Sequence, residues 1–252
     1  MFRPGVLLVS LLALLSLPLS AGIVTVAVAA NASYAMPELI RVFHRVHPGT
    51  QIRTIVGSSG KLTAQIRHGA PYQIFLSADM GYPEALRRSG EAVTEPKVYA
   101  RGALALFSLR PRDLSRGLSL LSAPSIHRIA LANPRTAPYG RAAKEALQKS
   151  GLWERLKDRF VYGESVAQTV AYALRAADAA LIAASALHSP SFEKFAAGKN
   201  WVDVDPKLYR PIDQGVVLLR PGSKNPEAES FYRFLLSPEA GRIFRRYGYR
   251  LP

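Results

Sequence analysis

The 252-residue chain contains no cysteine. That excludes disulfides, thiol catalysis and thiolate metal sites. No H-x-x-x-H spacing and no cluster of carboxylates offers a metal site in their place. His44 and His47 share a helix face, but Arg41 and Arg45 flank them. Acidic residues are scarce, 18 against 33 Lys and Arg, for a formal charge of +15. A basic excess can mean nucleic acid or an anionic surface. Here the basic residues are dispersed in pairs such as Arg87-Arg88 and Arg245-Arg246, with no basic tract and no nucleic-acid motif. A solvated basic surface that attracts small anions is the expectation, with no nucleic-acid partner. Fixed-period repeats and low-complexity stretches are also missing.

Only one long apolar run exists, from Val6 to Leu17, preceded by Arg3 and followed by Pro18. It is short for a membrane span, and small residues follow it, which is the pattern of a secretory signal peptide. Cleavage is expected near Ala21 or Gly22. The mature chain has no cysteine to carry a lipid, so a freely diffusing monomer without a membrane anchor is expected, in a bacterial periplasm.

Downstream, IVTVAVAA (23–30) reads as a buried strand and Met36 to His47 as a helix with Leu39, Ile40, Phe43 and Val46 on one face. QIRTIVG (51–57) is a strand, a short helix carries Leu62 and Ile66, and YQIFLSAD (72–79) is a third strand. The order strand, helix, strand, helix, strand predicts a parallel, helix-flanked sheet. A second such unit follows VYARGALALFSL (98–109). It has strands at 127–132, 160–163 and 179–184, and helices at about 141–149 and 166–175. PIDQGVVLL (211–219) is a last strand before helices at about 226–236 and 238–247. The fold class is therefore α/β, in two lobes with a cleft between them. Residues 22–100 with 210–252 are assigned to the first lobe, and 101–209 to the second. Ligands of such sheets bind beyond the carboxyl ends of the strands, here in ANAS (30–33), GSSG (57–60) and the loops near Tyr139 and Val166.

GSSGKLTAQI (57–66) looks like a phosphate loop but fails as one. Walker A needs four residues between its glycines and Ser or Thr after the lysine; here Gly57 lies three before Gly60, and Leu62 follows Lys61. A serine elbow would need glycine where Lys61 stands. An exported hydrolase using Ser58 or Ser59 would also need a base, and no histidine has a visible acidic orienter. Asn31-Ala32-Ser33 fits a glycosylation triplet, but it joins a buried strand to a helix, where a glycan would clash. What the loops can do without base or metal is hold an oxyanion. Helix N-termini have unpaired N–H groups and partial positive charge, glycine permits close approach, and Ser and Asn add donors. Ordinary N-capping explains any one loop; four of them, two per lobe, point to a shared site.

The blocks VTVAVAANASYAMPEL, GSSGKLTAQIRHGAPYQIFLSAD, NPRTAPYGRAAKEALQKSGLW and FYRFLLSPEAGRIFRRYGY resemble, in order, the periplasmic molybdate-binding proteins of ABC transporters. The resemblance implies a two-lobed periplasmic binding protein of type II. It would close on molybdate or tungstate, deliver it to an ABC permease, and use neither catalysis nor a cofactor. The same fold also serves anions such as sulfate or phosphate. Carried over by position, the oxyanion ligands would be Ala30, Asn31 and Ser59 from the first lobe and Tyr139 and Val166, through backbone N–H groups, from the second. Two features depart from the pattern. Ala183 stands where some members have a tyrosine donor. Pro37 conflicts with a helix capped directly by Asn31, so a later start with Ser33 as cap, or an irregular first turn, is expected. The hinge is expected near 99–103 and 209–216.

Overall fold

The computed structural model describes residues 22–252, so the expected signal peptide lies outside the described residues. The chain builds two five-stranded sheets. The first contains β1 (Ile23–Ala29), β2 (Gln51–Gly57), β3 (Ile74–Leu76), β4 (Lys97–Gly102) and β10 (Ile212–Leu218). Their spatial order is β2-β1-β3-β10-β4. β1 pairs in parallel with β2 and β3, while β10 runs antiparallel to β3 and β4. The second sheet contains β5 (Leu104–Phe107), β6 (Ile129–Ala132), β7 (Phe160–Gly163), β8 (Ala179–Ala183) and β9 (Trp201–Asp203). Its order is β7-β6-β8-β5-β9, with β6 parallel to β7 and β8. The chain crosses between the sheets twice, at Ala103 and between β9 and β10.

Helices α1 (Met36–Phe43), α2 (Ser59–Arg67), α3 (Gly81–Arg88), α8 (Pro226–Leu235) and α9 (Pro238–Arg246) are formed by the residues that flank the first sheet's strands in sequence. The second lobe carries α4 (Pro138–Lys149), α5 (Trp153–Leu156), α6 (Val166–Ala173) and α7 (Ala184–Leu187). In α1 the buried residues are Met36, Leu39, Val42 and Phe43, spaced by three or four along one stripe. Phe43 meets Phe231 of α8 edge to face at 4.9 Å. Each such fully buried side chain contributes roughly 1.5–3 kcal/mol of transfer free energy.

The structure bears out some sequence expectations, the irregular turn before the first helix among them, and corrects others. A 3₁₀ turn, Ala32–Tyr34, precedes α1, so the first turn is irregular. Pro37 then falls where the helix has no intrahelical acceptor for an N–H, and its missing donor costs nothing. Ser33 does not cap: its hydroxyl donates to the Ala30 carbonyl at 2.7 Å. The helix ends at Phe43 rather than His47, and the third strand is confined to Ile74–Leu76. The order of elements from β1 to β3 follows expectation, but α3, β4, β5, α5, α7 and β9 are elements the sequence reading does not assign.

Candidate functional site

The carboxyl ends of β1, β2, β6 and β7 converge where the lobes meet. β1 runs into Ala30 and Asn31, and the Ala30 N–H continues the parallel ladder by donating to the Gly57 carbonyl at 2.9 Å. β2 runs into Ser58, whose Oγ accepts from the Lys61 N–H at 3.4 Å and caps α2. Ser59 opens that helix and is fully buried. From the second lobe, β6 leads through Ala137 into α4, where Pro138 and Tyr139 form the first turn. Gly140 makes that approach possible: a Cβ there would lie 2.2 Å from the Ala132 carbonyl oxygen. β7 leads through the cap Ser165 to Val166, the first residue of α6.

Ala30, Asn31, Ser59, Tyr139 and Val166 all line one cavity, with Ser58, Ala78 and Ala137 beside them. Each of the five is nine-tenths or more buried. No charged side chain lines the cavity. Its volume is about 10 Å³, the threshold for one water. A tetrahedral oxyanion is larger, so its entry requires the lobes to part.

The donors differ in availability. Ser59 Oγ accepts from the Ala78 N–H at 2.9 Å, which leaves its own proton free to donate. The N–H groups of Ser59, Tyr139 and Val166 stand in first turns, where a helix offers no internal acceptor. Ala30 lines the cavity, but its N–H is spent on Gly57. The Asn31 amide is likewise spent. Its Nδ2 donates to Gln214 Oε1 and to Tyr249 Oη, both at 2.7 Å. What Asn31 keeps for the cavity is its backbone N–H. Its carbonyl is fixed from both lobes, accepting from Ser185 Oγ and from Tyr249 Oη at 2.9 Å each.

Two polar atoms at this junction are buried without a protein partner among the described residues, Asn31 Oδ1 and Tyr139 Oη. Burial pushes the Tyr139 hydroxyl well above the ordinary tyrosine value, with Tyr249, Tyr99 and Tyr209 adding to the effect; the nearby Asn31 amide opposes it, but its Nδ2 protons are committed to Gln214 and Tyr249, which leaves Tyr139 Oη without a hydrogen bond. Tyr249 is raised for the same main reason. Both phenols are therefore neutral at any physiological pH. Ala183, the last residue of β8, is fully buried and does not line the cavity. Lys61 points outward, its Nζ 3.5 Å from Glu164 across the lobe boundary. No histidine lines the cavity, so Ser58 and Ser59 lack a base there.

Gln214, Tyr249 and Ser185 were not singled out from sequence. One signal was available: Gln214 interrupts the apolar run of β10, and a buried amide demands partners. A β-bulge between Gln214 and Gly215 sits at that residue. Its Nε2 donates to Ile212 at 2.9 Å and Ala78 at 3.3 Å.

Two further contacts join the lobes outside the cavity. The Gly60 N–H donates to the Thr136 carbonyl at 2.9 Å. Arg141 of α4 pairs with Asp79 of the first lobe, and its guanidinium lies 5.4 Å from the Tyr82 ring centroid.

The chain is similar in sequence and fold to known proteins. Residues 24–250 match the family model described as bacterial extracellular solute-binding protein. The molybdate-binding protein ModA of Azotobacter vinelandii is 36% identical over 240 residues, covering 94% of each chain. ModA of Rhodobacter capsulatus is 36% identical over 249 residues, 98% of this chain and 96% of the relative. The solved periplasmic molybdate-binding protein of Azotobacter vinelandii superposes with a TM-score of 0.84 at 30% identity, over 91% of this chain and 99% of its own. Those relatives are solute carriers, not enzymes. The chain belongs to the bacterial extracellular solute-binding proteins.

Proposed function

We propose that the protein captures molybdate or tungstate between its lobes and delivers it to an ABC permease. The observation that carries this reading is the cavity itself. Three helix starts and the end of β1 converge on it, and no charged side chain lines it. Each helix start contributes a partial positive charge of roughly half a unit, so a dianion is stabilised without a counter-ion. A wall of N–H and O–H donors also rejects a protonated oxyanion, whose own O–H would meet another donor. The names of the relatives supply the choice of molybdate. The N-terminal signal pattern supports export to the periplasm, and no helix among the described residues is long and apolar enough to cross a membrane.

Titration calorimetry with molybdate, tungstate, sulfate and phosphate tests the reading. Molybdate and tungstate are expected to bind at one high-affinity site, with sulfate and phosphate weaker there by roughly a hundredfold, or about 2.7 kcal/mol. Sulfate or phosphate binding as tightly as molybdate would overturn the assignment.

A further inference from the structure

A second, larger cavity of about 630 Å³ lies along the lobe boundary, directly outside the first. The two share a wall. Gly60 and Thr136 line the outer cavity, while their chain neighbours Ser59 and Ala137 line the inner one. The hydrogen bond between Gly60 and Thr136 closes that wall.

The charges around the outer cavity are unbalanced. Arg67 and His68 reach it from the end of α2, and Arg135 from the loop before α4. Asp79 is the only carboxylate in its lining, and Arg141 already pairs with it. No ion pair forms at Arg67 or Arg135 among the described residues, and both are exposed to solvent. Two unpaired guanidinium groups, one from each lobe, therefore face a single concave space. Guanidinium is the side chain best suited to bidentate contact with an oxyanion, and a cleft of one sign concentrates its counter-ion.

We propose that this outer cavity is a second oxyanion-binding site, bridged by Arg67 and Arg135 and complete only when the lobes are together. It differs in kind from the inner cavity: it is wet, open and charged, so it accepts small oxyanions with little regard for size or protonation. An anion held there ties the lobes to each other and slows escape from the inner cavity. The argument rests on the charge and shape of the outer cavity and not on the identity of the inner ligand.

The test is calorimetric titration of inorganic phosphate, at constant ionic strength, into protein loaded with one equivalent of molybdate and freed of excess, so that only the inner cavity is filled. One further phosphate is expected to bind the wild type. The R67Q/R135Q double variant should bind it at least about tenfold more weakly, which is about 1.4 kcal/mol. R110Q/R175Q, which removes the same charge around a different cavity, should bind it as the wild type does. In the same samples phosphate should slow molybdate dissociation in the wild type and in R110Q/R175Q only. No phosphate uptake by the loaded protein, or equal uptake by R67Q/R135Q, overturns the proposal. If molybdate fails to bind at all, the inner assignment falls by itself. The phosphate titration of the protein alone, with the same pair of variants, then decides the outer site.

Discussion

At Ser59 one oxygen has two duties. It accepts the Ala78 N–H, which ties the loop after β3 to the start of α2, and it keeps a proton for the cavity. Removing it strands the Ala78 N–H and deletes a donor to a charged acceptor. Ser59→Ala is therefore expected to weaken molybdate binding by about 1–3 kcal/mol in calorimetry; undiminished affinity would remove Ser59 from the site. Tyr139 makes the opposite case. Its hydroxyl is buried without a partner, and the atom assigned to the anion is its backbone N–H. Deleting the orphaned group should relieve a desolvation cost of about 1 kcal/mol. Tyr139→Phe is thus expected to raise the urea midpoint while leaving molybdate affinity unchanged. Weaker binding in that variant would show that the phenol itself touches the ligand.

The elements bring these groups together by close approach at glycines. At the start of α2 a Cβ on Gly60 would stand 2.7 Å from Tyr82 Oη and 2.9 Å from the Thr136 carbonyl oxygen. Tyr82 can swing aside, but the Thr136 backbone belongs to the other lobe. Gly60→Ala should hold the lobes apart without disturbing the core of either. The expected result is molybdate affinity lower by at least about tenfold, with the Tm of the ligand-free protein retained; a Tm loss with full affinity would contradict it. This level of organisation was largely legible in sequence. β1 and β6 are short apolar runs, buried throughout most of their length, and the helices after the strands carry apolar spacings of three and four, so both patterns are local. Helix α3 is not legible because only Pro83 and Leu86 of its eight residues are buried, too few to show a stripe. The clasp around Asn31 was not legible for another reason. Ser185, Gln214 and Tyr249 lie 154, 183 and 218 positions away, and no local pattern encodes a contact made by the closing of the fold. The availability of donors was equally hidden. Ala30 and Asn31 line the cavity, but only the paired hydrogen bonds show which of their N–H groups are already engaged.

At the scale of the whole molecule, the pair between Asp79 and Arg141 ties one lobe to the other. Burial raises the Asp79 carboxyl above the usual aspartate value, and Arg141, with hydrogen bonds from Tyr82 and Ser77, offsets only part of that rise. An acid raised in the folded state contributes stability while protonated, fully present below its unfolded value and lost as pH rises through the folded one. Asp79→Asn, neutral at all pH, abolishes this dependence. Its stability relative to wild type, from urea unfolding, should therefore rise as pH is raised through and beyond the ordinary aspartate range, the reverse of what a net-stabilising carboxylate would give. Arg141→Gln does something different. It leaves a half-buried carboxylate without its counter-charge in the joined lobes, whereas parting them lets water reach it. The penalty falls on the closed arrangement, at about 1–2 kcal/mol, between the values for exposed and buried pairs. Molybdate affinity at neutral pH is accordingly expected to fall in Arg141→Gln and to recover in the Asp79→Asn/Arg141→Gln double variant, because the stranded charge is then gone. Calorimetry on the three variants checks this. A double variant no better than Arg141→Gln would mean that Arg141 acts on the ligand directly and not by holding the lobes together.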